Sequence, residues 1–234
     1  MLDDAAAVAR AGAEALSEVV LENPAAVLAL PTGRTMIPFY AELRSRFREG
    51  RLDFSRTHAF NLDELVLPRS HPASFFSYME QHAWERIGLD RTRCEILEGE
   101  AEDVEAECRR YERAIAAGGP FDLVILGVGS DGHVAYNLPG AVAEATHEVH
   151  LPEAVAENLG IGAEHRPLRA LTMGMGPLRR ARRLLLMATG GSKARAVEAL
   201  LQGSEDPRWP CSLLREHPSF DVLLDRAAAG MEDL

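Results

Sequence analysis

Apolar residues along the chain fall into two rhythms that alternate from one end to the other. Short runs, wholly or largely apolar, at Ala25 to Leu30, Thr57 to Leu62, Cys94 to Leu97, Leu123 to Leu126, Leu184 to Ala188 and Phe220 to Leu224 predict strands, several of them buried on both faces. Between them lie stretches with helical spacing. Residues 3–22 predict an alanine-rich amphipathic helix stopped by Asn23-Pro24. Further helices are expected from about Ile37 to Phe47, from Ala73 to Ile87, over 101–117, after Gly176, from Ala194 to Leu201 and around Ser212 to Arg215. Phe75, Phe76, Met79, Ala83 and Trp84 mark the core side of the helix from Ala73 to Ile87. A further short strand is expected at Glu148 to Leu151, followed by a mobile segment from Pro152 to His165 suited to a lid. No linker or internal repeat interrupts the alternation. The expected fold is therefore one Rossmann-like, three-layer, doubly wound α/β domain over residues 1–234, with a mainly parallel sheet.

Composition narrows the partners. The chain has 234 residues, 47% of them hydrophobic, and a net charge of −11. That acidity argues against nucleic acid or an anionic membrane surface as a partner. No apolar run reaches membrane-spanning length, and the start lacks the pattern of a signal peptide. The three cysteines, Cys94, Cys108 and Cys211, are far apart and show neither zinc spacing nor a disulfide framework, which suits a reducing cytoplasm. Eight histidines without His-x-x-x-His spacing give no metal site, and His71 and His82 are read as loop and surface residues. Oligomeric state is not legible.

Candidate chemistry gathers where predicted strands end. After Leu126 come Gly127, Gly129 and Gly132, with Asp131 and His133 among them. A glycine turn at a strand's carboxyl end frees backbone N–H groups, and a carboxylate two residues from an imidazole can orient it as an acid/base. The glycines also fit G-x-G-x-x-G, but Asn137-Leu-Pro-Gly140 breaks the helix that a dinucleotide site needs, so no NAD or other cofactor is expected. Leu30-Pro-Thr-Gly-Arg-Thr35 leads from a strand into a helix. There Gly33 lets the backbone approach an anion, Thr32 and Thr35 offer hydroxyls and Arg34 a fork to phosphate oxygens. Thr189-Gly-Gly-Ser-Lys193 repeats the arrangement, and Lys193 at a helix start makes sense if it meets an anion. Asp63-Glu64 closes another strand; paired acids there either supply a general base or lead the chain into solvent. The acidic helix over 101–117 reads as a solvated face, and Arg179, Arg180, Arg182 and Arg183 as a basic cluster facing solvent or offsetting it.

In their fixed order, Leu30-Pro-Thr-Gly-Arg-Thr35, Phe60-Asn-Leu-Asp-Glu64, Gly127-Val-Gly-Ser-Asp-Gly-His133 and Thr189-Gly-Gly-Ser-Lys193 resemble the superfamily of glucosamine-6-phosphate deaminases and 6-phosphogluconolactonases. Phe60 to Glu64 and Ala170-Leu-Thr-Met-Gly-Met-Gly176 look like the deaminase branch; Leu138-Pro-Gly140 looks more like the lactonase branch. The resemblance implies a small-molecule hexose phosphate as substrate. It implies that Thr32, Gly33, Arg34, Thr35 and Lys193 hold the phosphate, with Glu64 and Gly129 also at the substrate. By the same resemblance Asp63 moves a proton between the nitrogen-bearing and carbonyl carbons, and His133, oriented by Asp131, opens the sugar ring. Two departures stand out. Leu138 replaces the glutamate that tunes the histidine in deaminases, and no lid arginine lies between Leu151 and Glu164, a place Arg34 can fill. The lactonase alternative uses His133 to activate water. A third reading, a sugar-phosphate sensor without catalysis, leaves Asp63, Asp131 and His133 without a purpose.

Overall fold

A computed structural model of the chain describes residues 1–231. In chain order the elements are α1 (Ala5–Glu22), β1 (Val27–Leu30), α2 (Met36–Arg48), β2 (His58–Asn61), β3 (Asp63–Leu65), α3 (Phe75–His82), α4 (Trp84–Ile87), β4 (Cys94–Glu95), α5 (Val104–Gly118), β5 (Leu123–Leu126), β6 (His147–His150), α6 (Glu153–Asn158), β7 (Arg169–Thr172), α7 (Met175–Arg179), β8 (Leu184–Ala188), α8 (Ala194–Gln202) and β9 (Phe220–Leu224). Side-chain caps fix several helix starts: Asp4 accepts from Ala7 N–H, Ser74 from Ser77 N–H and Asp103 from Ala106 N–H.

Six strands form one parallel sheet in the order β4-β2-β1-β5-β8-β9. The chain builds outward from β1 to β4, returns to β5, and builds outward the other way. Side chains of the central strands alternate between two cores. Ala29, Val124, Leu126, Leu184 and Leu186 enter one, with Phe60, Tyr111 and Phe121. Leu28, Leu30, Leu123, Ile125, Leu185 and Met187 enter the other, with α1, α2, Tyr40 and Trp84. This is the expected three-layer, doubly wound α/β arrangement with a mainly parallel sheet. Among the described residues no helix is long and apolar enough to cross a membrane.

The structure departs from the sequence reading in four places. A second sheet, β3-β7-β6, is antiparallel and lies outside the main one. Asp63 and Glu64 therefore do not lead into solvent; they open β3. The expected strand near Glu148 is β6 of this small sheet. The helix expected from Ala73 to Ile87 breaks at Ala83, where the backbone leaves helical angles, giving α3 and α4. The basic cluster faces solvent, one of its two expected settings, and does not offset α5: Arg179, Arg180 and Arg182 are exposed, with Arg179 paired to Glu144, Arg182 to Asp122 and Arg183 to Asp221. The acids of α5 are not all solvated either. Glu107 is buried and binds Arg110, and Glu112 accepts from Thr146 N–H and hydroxyl.

Because β1, β5 and β8 contribute to both cores, we propose that the chain folds as one cooperative domain. Trp84 reports on one layer and Trp209 on the other. Urea unfolding followed by fluorescence and far-ultraviolet circular dichroism should give coincident transitions. Leu126→Ala, at a fully buried position of β5, should lower stability by about 2–5 kcal/mol in that one transition. Two separated transitions would show independent units.

Candidate functional site

Strands β1 and β5 are neighbours at the point where the winding reverses, the place where open α/β sheets bind ligands beyond their carboxyl ends. Three turns meet there. Gly33 has φ +117° and Gly190 φ +85°, conformations that favour glycine. Thr35, at the start of α2, uses its hydroxyl for no helix cap and lies 3.5 Å from the Thr189 hydroxyl, so the two glycine turns form one cradle. Hydroxyls and a carboxylate hold its backbone: Tyr40 donates to the Pro31 carbonyl, Tyr78 to the Gly33 carbonyl, and Asp225 accepts from Gly190 N–H at 3.0 Å.

Lys193 ends the second turn, just before α8. Burial lowers its pKa, and the charge of Asp131 opposes that shift. Asp131, on the third turn, is thus near enough for Lys193 to feel its charge. Thr32 is half-buried in the cradle; Arg34 is exposed and, among the described residues, makes no ion pair. The segment 151–164 contains no arginine or lysine. Arg166, just beyond it, is tied to Glu153 and to the Ile161 carbonyl.

On the third turn His133 Nδ1 lies 2.7 Å from Asp131 Oδ1. This contact fixes the proton on Nδ1 and leaves Nε2 for chemistry. Burial raises the Asp131 carboxyl, but the hydrogen bond and charge of His133 outweigh it, and the net shift is downward. Gly129 lies beneath the pair: a Cβ there would come within 2.2 Å of His133 Nδ1 and 2.4 Å of Asp131 Oδ1. Its need for glycine comes from this close approach.

Asp63 and Glu64 are only 7% and 2% exposed. Glu64 accepts from Leu65, Phe75 and Phe76 N–H at 2.7–2.8 Å, the last two at the start of α3. Burial pushes Glu64 up to about 7, and those N–H groups pull against that shift, so Glu64 ionises before Asp63 as pH rises. Asp63 is pushed up to about 8, first by burial and then by the charge of Glu64. That places a carboxyl base in the range useful for proton abstraction near neutral pH.

Tyr136 joins these parts, and sequence reasoning missed it. Its N–H donates to Thr172 Oγ1, opposite Asp63 in the β3–β7 ladder. Its ring stacks on Phe75 and lies 5.8 Å from that of His133. Left-handed Ala135 (φ 49°) turns the chain to place it. The available signal was its position in the Asp131-to-Asn137 segment. Leu138 turns out to belong to a third apolar cluster, with Tyr136, Leu65 and the lid residues Ala156 and Ile161. Among the described residues no group of three or more histidines, cysteines or acids could hold a metal.

Residues 3–223 match the sequence profile of the glucosamine-6-phosphate isomerases/6-phosphogluconolactonases. A glucosamine-6-phosphate deaminase of Alkaliphilus oremlandii is 37% identical over 230 residues, covering 96% of this chain and 95% of its own. One from Halothermothrix orenii is 37% identical over 222 residues, covering 92% and 91%. The solved structure of a monomeric glucosamine-6-phosphate deaminase superposes with a TM-score of 0.92 at 34% identity, covering 99% of this chain and 98% of that one. A 6-phosphogluconolactonase from Trypanosoma brucei superposes at 0.77 with 21% identity, covering 98% and 97%, a likeness of fold.

The raised Asp63 has a consequence for stability. A carboxyl whose folded pKa lies above its unfolded value contributes stability below the unfolded value, and that contribution is lost as pH rises through the folded one. Asp63→Asn should therefore match the parent in stability near pH 4 and exceed it near pH 8. The gain should be at least ~1 kcal/mol, against an upper bound of about 6 kcal/mol from the shift itself. Paired denaturation curves at the two pH values measure it; an equal or less stable variant at pH 8 contradicts the assignment.

Proposed function

Because the chain belongs to the family of glucosamine-6-phosphate isomerases and 6-phosphogluconolactonases, we propose that it converts glucosamine 6-phosphate and water to fructose 6-phosphate and ammonia. The observation that carries this reading is the presence of two separate proton-handling units on one sheet edge. Asp63 is a buried base raised to about 8, and His133 is an imidazole held by Asp131. Full-length relatives named glucosamine-6-phosphate deaminase support it.

The reaction uses each part once. The cradle of Thr32, Gly33, Thr35 and Lys193, with Arg34 at its rim, holds the phosphate by N–H, hydroxyl and cationic donors. Nε2 of His133 passes a proton at the ring oxygen, and the pyranose opens to the aldehyde. Asp63 takes the proton from C2, which bears nitrogen, giving the enolamine, and returns a proton to C1. The resulting C2 imine adds water and releases ammonia, leaving the ketose. Glu64, fixed by backbone N–H groups, keeps Asp63 in place and raises its basicity. Tyr136 walls the pocket between His133 and the lid. This chemistry suits a small-molecule enzyme of the cytoplasm.

Leu138 in the apolar cluster under the lid favours a second reading, hydrolysis of 6-phosphogluconolactone, in which His133 activates water and Asp63 is not needed as a base. One experiment separates the two: ammonia release from glucosamine 6-phosphate against acid release from the lactone. For the deaminase, Asp63→Asn lowers turnover by about 10²–10⁴-fold, the worth of a positioned base, and kcat/KM climbs with pH toward about 8 as Asp63 ionises. Robust lactone hydrolysis, no ammonia and a mild effect of Asp63→Asn would overturn the assignment.

Lys193 tests the cradle separately. Lys193→Ala should raise KM roughly 30- to 150-fold, the equivalent of losing ~2–3 kcal/mol of charged hydrogen bonding, with a smaller change in kcat. An unchanged KM in steady-state kinetics would remove Lys193 from the phosphate site.

A further inference from the structure

The chain has four tyrosines. Tyr40, Tyr78 and Tyr111 each donate the hydroxyl to a backbone carbonyl, of Pro31, Gly33 and Asn61 in turn. Tyr136 does not. It is only 9% exposed, yet among the described residues its hydroxyl has no hydrogen-bond partner. A buried phenol ordinarily finds one. Nor is this oxygen sealed in: the side-chain polar atoms shut away without partners belong to Asn61, Trp84, Arg91, Asn137 and His147. The Tyr136 hydroxyl therefore opens on free space.

Its neighbours say which space. Thr172, whose Oγ1 accepts from Tyr136 N–H at 2.9 Å, is the residue paired with Asp63 across β3 and β7. The Tyr136 ring stacks on Phe75, 6.0 Å between centroids, and Phe75 N–H holds Glu64. The same ring lies 5.8 Å from that of His133. Burial, then the charge of Asp63, then that of Glu64 hold the phenol well above its usual range. It thus stays a neutral donor while Asp63 ionises. The Asp63 carboxyl and Nε2 of His133 likewise have no protein partner among the described residues. A base, an imidazole nitrogen and a phenol lie together with their polar atoms unclaimed.

On the deaminase reading, one demand of the chemistry is still unmet. When Asp63 takes the proton from C2, the C2–H electron pair forms the C1=C2 bond and the carbonyl pair moves onto the oxygen of C1. Negative charge developing there needs a donor placed beforehand. The cradle and Lys193 hold the phosphate on C6, at the other end of the open chain, and Nε2 of His133 serves the ring oxygen.

We propose that Tyr136 is a further catalytic residue of this site, its hydroxyl donating to the substrate oxygen on C1 as Asp63 removes the proton from C2. The inference rests on the deaminase reading. The phenol keeps its proton throughout. When Asp63 returns its proton to C1, the nitrogen lone pair closes the C2 imine, and a proton passes from nitrogen to the oxygen of C1.

Tyr136→Phe removes the hydroxyl and keeps the ring that packs under the lid. Ammonia release from glucosamine 6-phosphate is measured for parent and variant, with the substrate unlabelled and deuterated at C2. The expected result is a fall in kcat of about 10²-fold or more, the worth of one such donor. KM stays within about threefold, because the ground-state carbonyl gains little from the contact. The isotope effect on kcat rises, since proton removal now limits turnover, and the thermal unfolding midpoint is unchanged. A parent that releases ammonia with a variant that matches it overturns the role of Tyr136 and leaves the deaminase reading standing. So does a loss of activity with an unchanged isotope effect, or one that tracks a lowered unfolding midpoint. A parent that releases no ammonia overturns the deaminase reading, and the role of Tyr136 falls with it.

Discussion

The parallel pairing of β1 with β5, Leu28 opposite Leu123 and Ala29 opposite Val124, sets where the turns of the candidate site meet. These strands adjoin in space but not in sequence, and the connections leaving them diverge to opposite halves of the sheet. No chain crosses the gap between them, so their carboxyl ends open into a crevice. The Pro31–Thr35 turn enters from one side and the Gly127–His133 turn from the other. β8, paired with β5, brings the Lys193 turn into the same space. A change that shifted β5 against β1 would move the acid/base pair away from the cradle while leaving each motif intact in sequence.

What the sequence made legible follows from this constraint. Strands buried on both faces must be apolar at every position, so Leu123–Leu126 and Leu184–Ala188 stood out, as did the glycine turns that follow them. The small sheet was not legible, because its first strand begins with two acids. Charged residues normally signal solvent, and here Glu64 is kept inside by N–H groups from α3, a distant contact that no local pattern encodes. The break at Ala83 was hidden for a similar reason: Trp84 follows the helical apolar spacing but packs as part of a separate turn. Tyr136 carries no mark of its own in the sequence; its placement depends on left-handed Ala135, which no local pattern signals.

The pair Asp63–Glu64 shows how one site sets two ionisations apart. Two adjacent buried carboxyls cannot both be charged cheaply. Backbone N–H groups are given to one and withheld from the other, which decides where the proton resides. Leu138 lies in the third apolar cluster, beside Tyr136, Ala156 and Ile161. On the proposed reaction, proton handling falls to Asp63 and to His133 held by Asp131.

The cradle also sits on a strongly acidic protein. Its donors are backbone N–H groups, hydroxyls and few cations, whereas the chain as a whole carries −11. The ligand proposed for it, a sugar phosphate, carries close to two negative charges near neutral pH, so at a distance the protein would repel it, and only within contact range would the cradle attract. Mobile ions screen these two regimes unequally, because the Debye length at physiological ionic strength is about 8 Å. Moderate salt therefore silences the distant carboxylates more than the half-buried Lys193, and capture of the proposed substrate would quicken as ionic strength rises. That is the reverse of an enzyme that steers its anion with a basic surface.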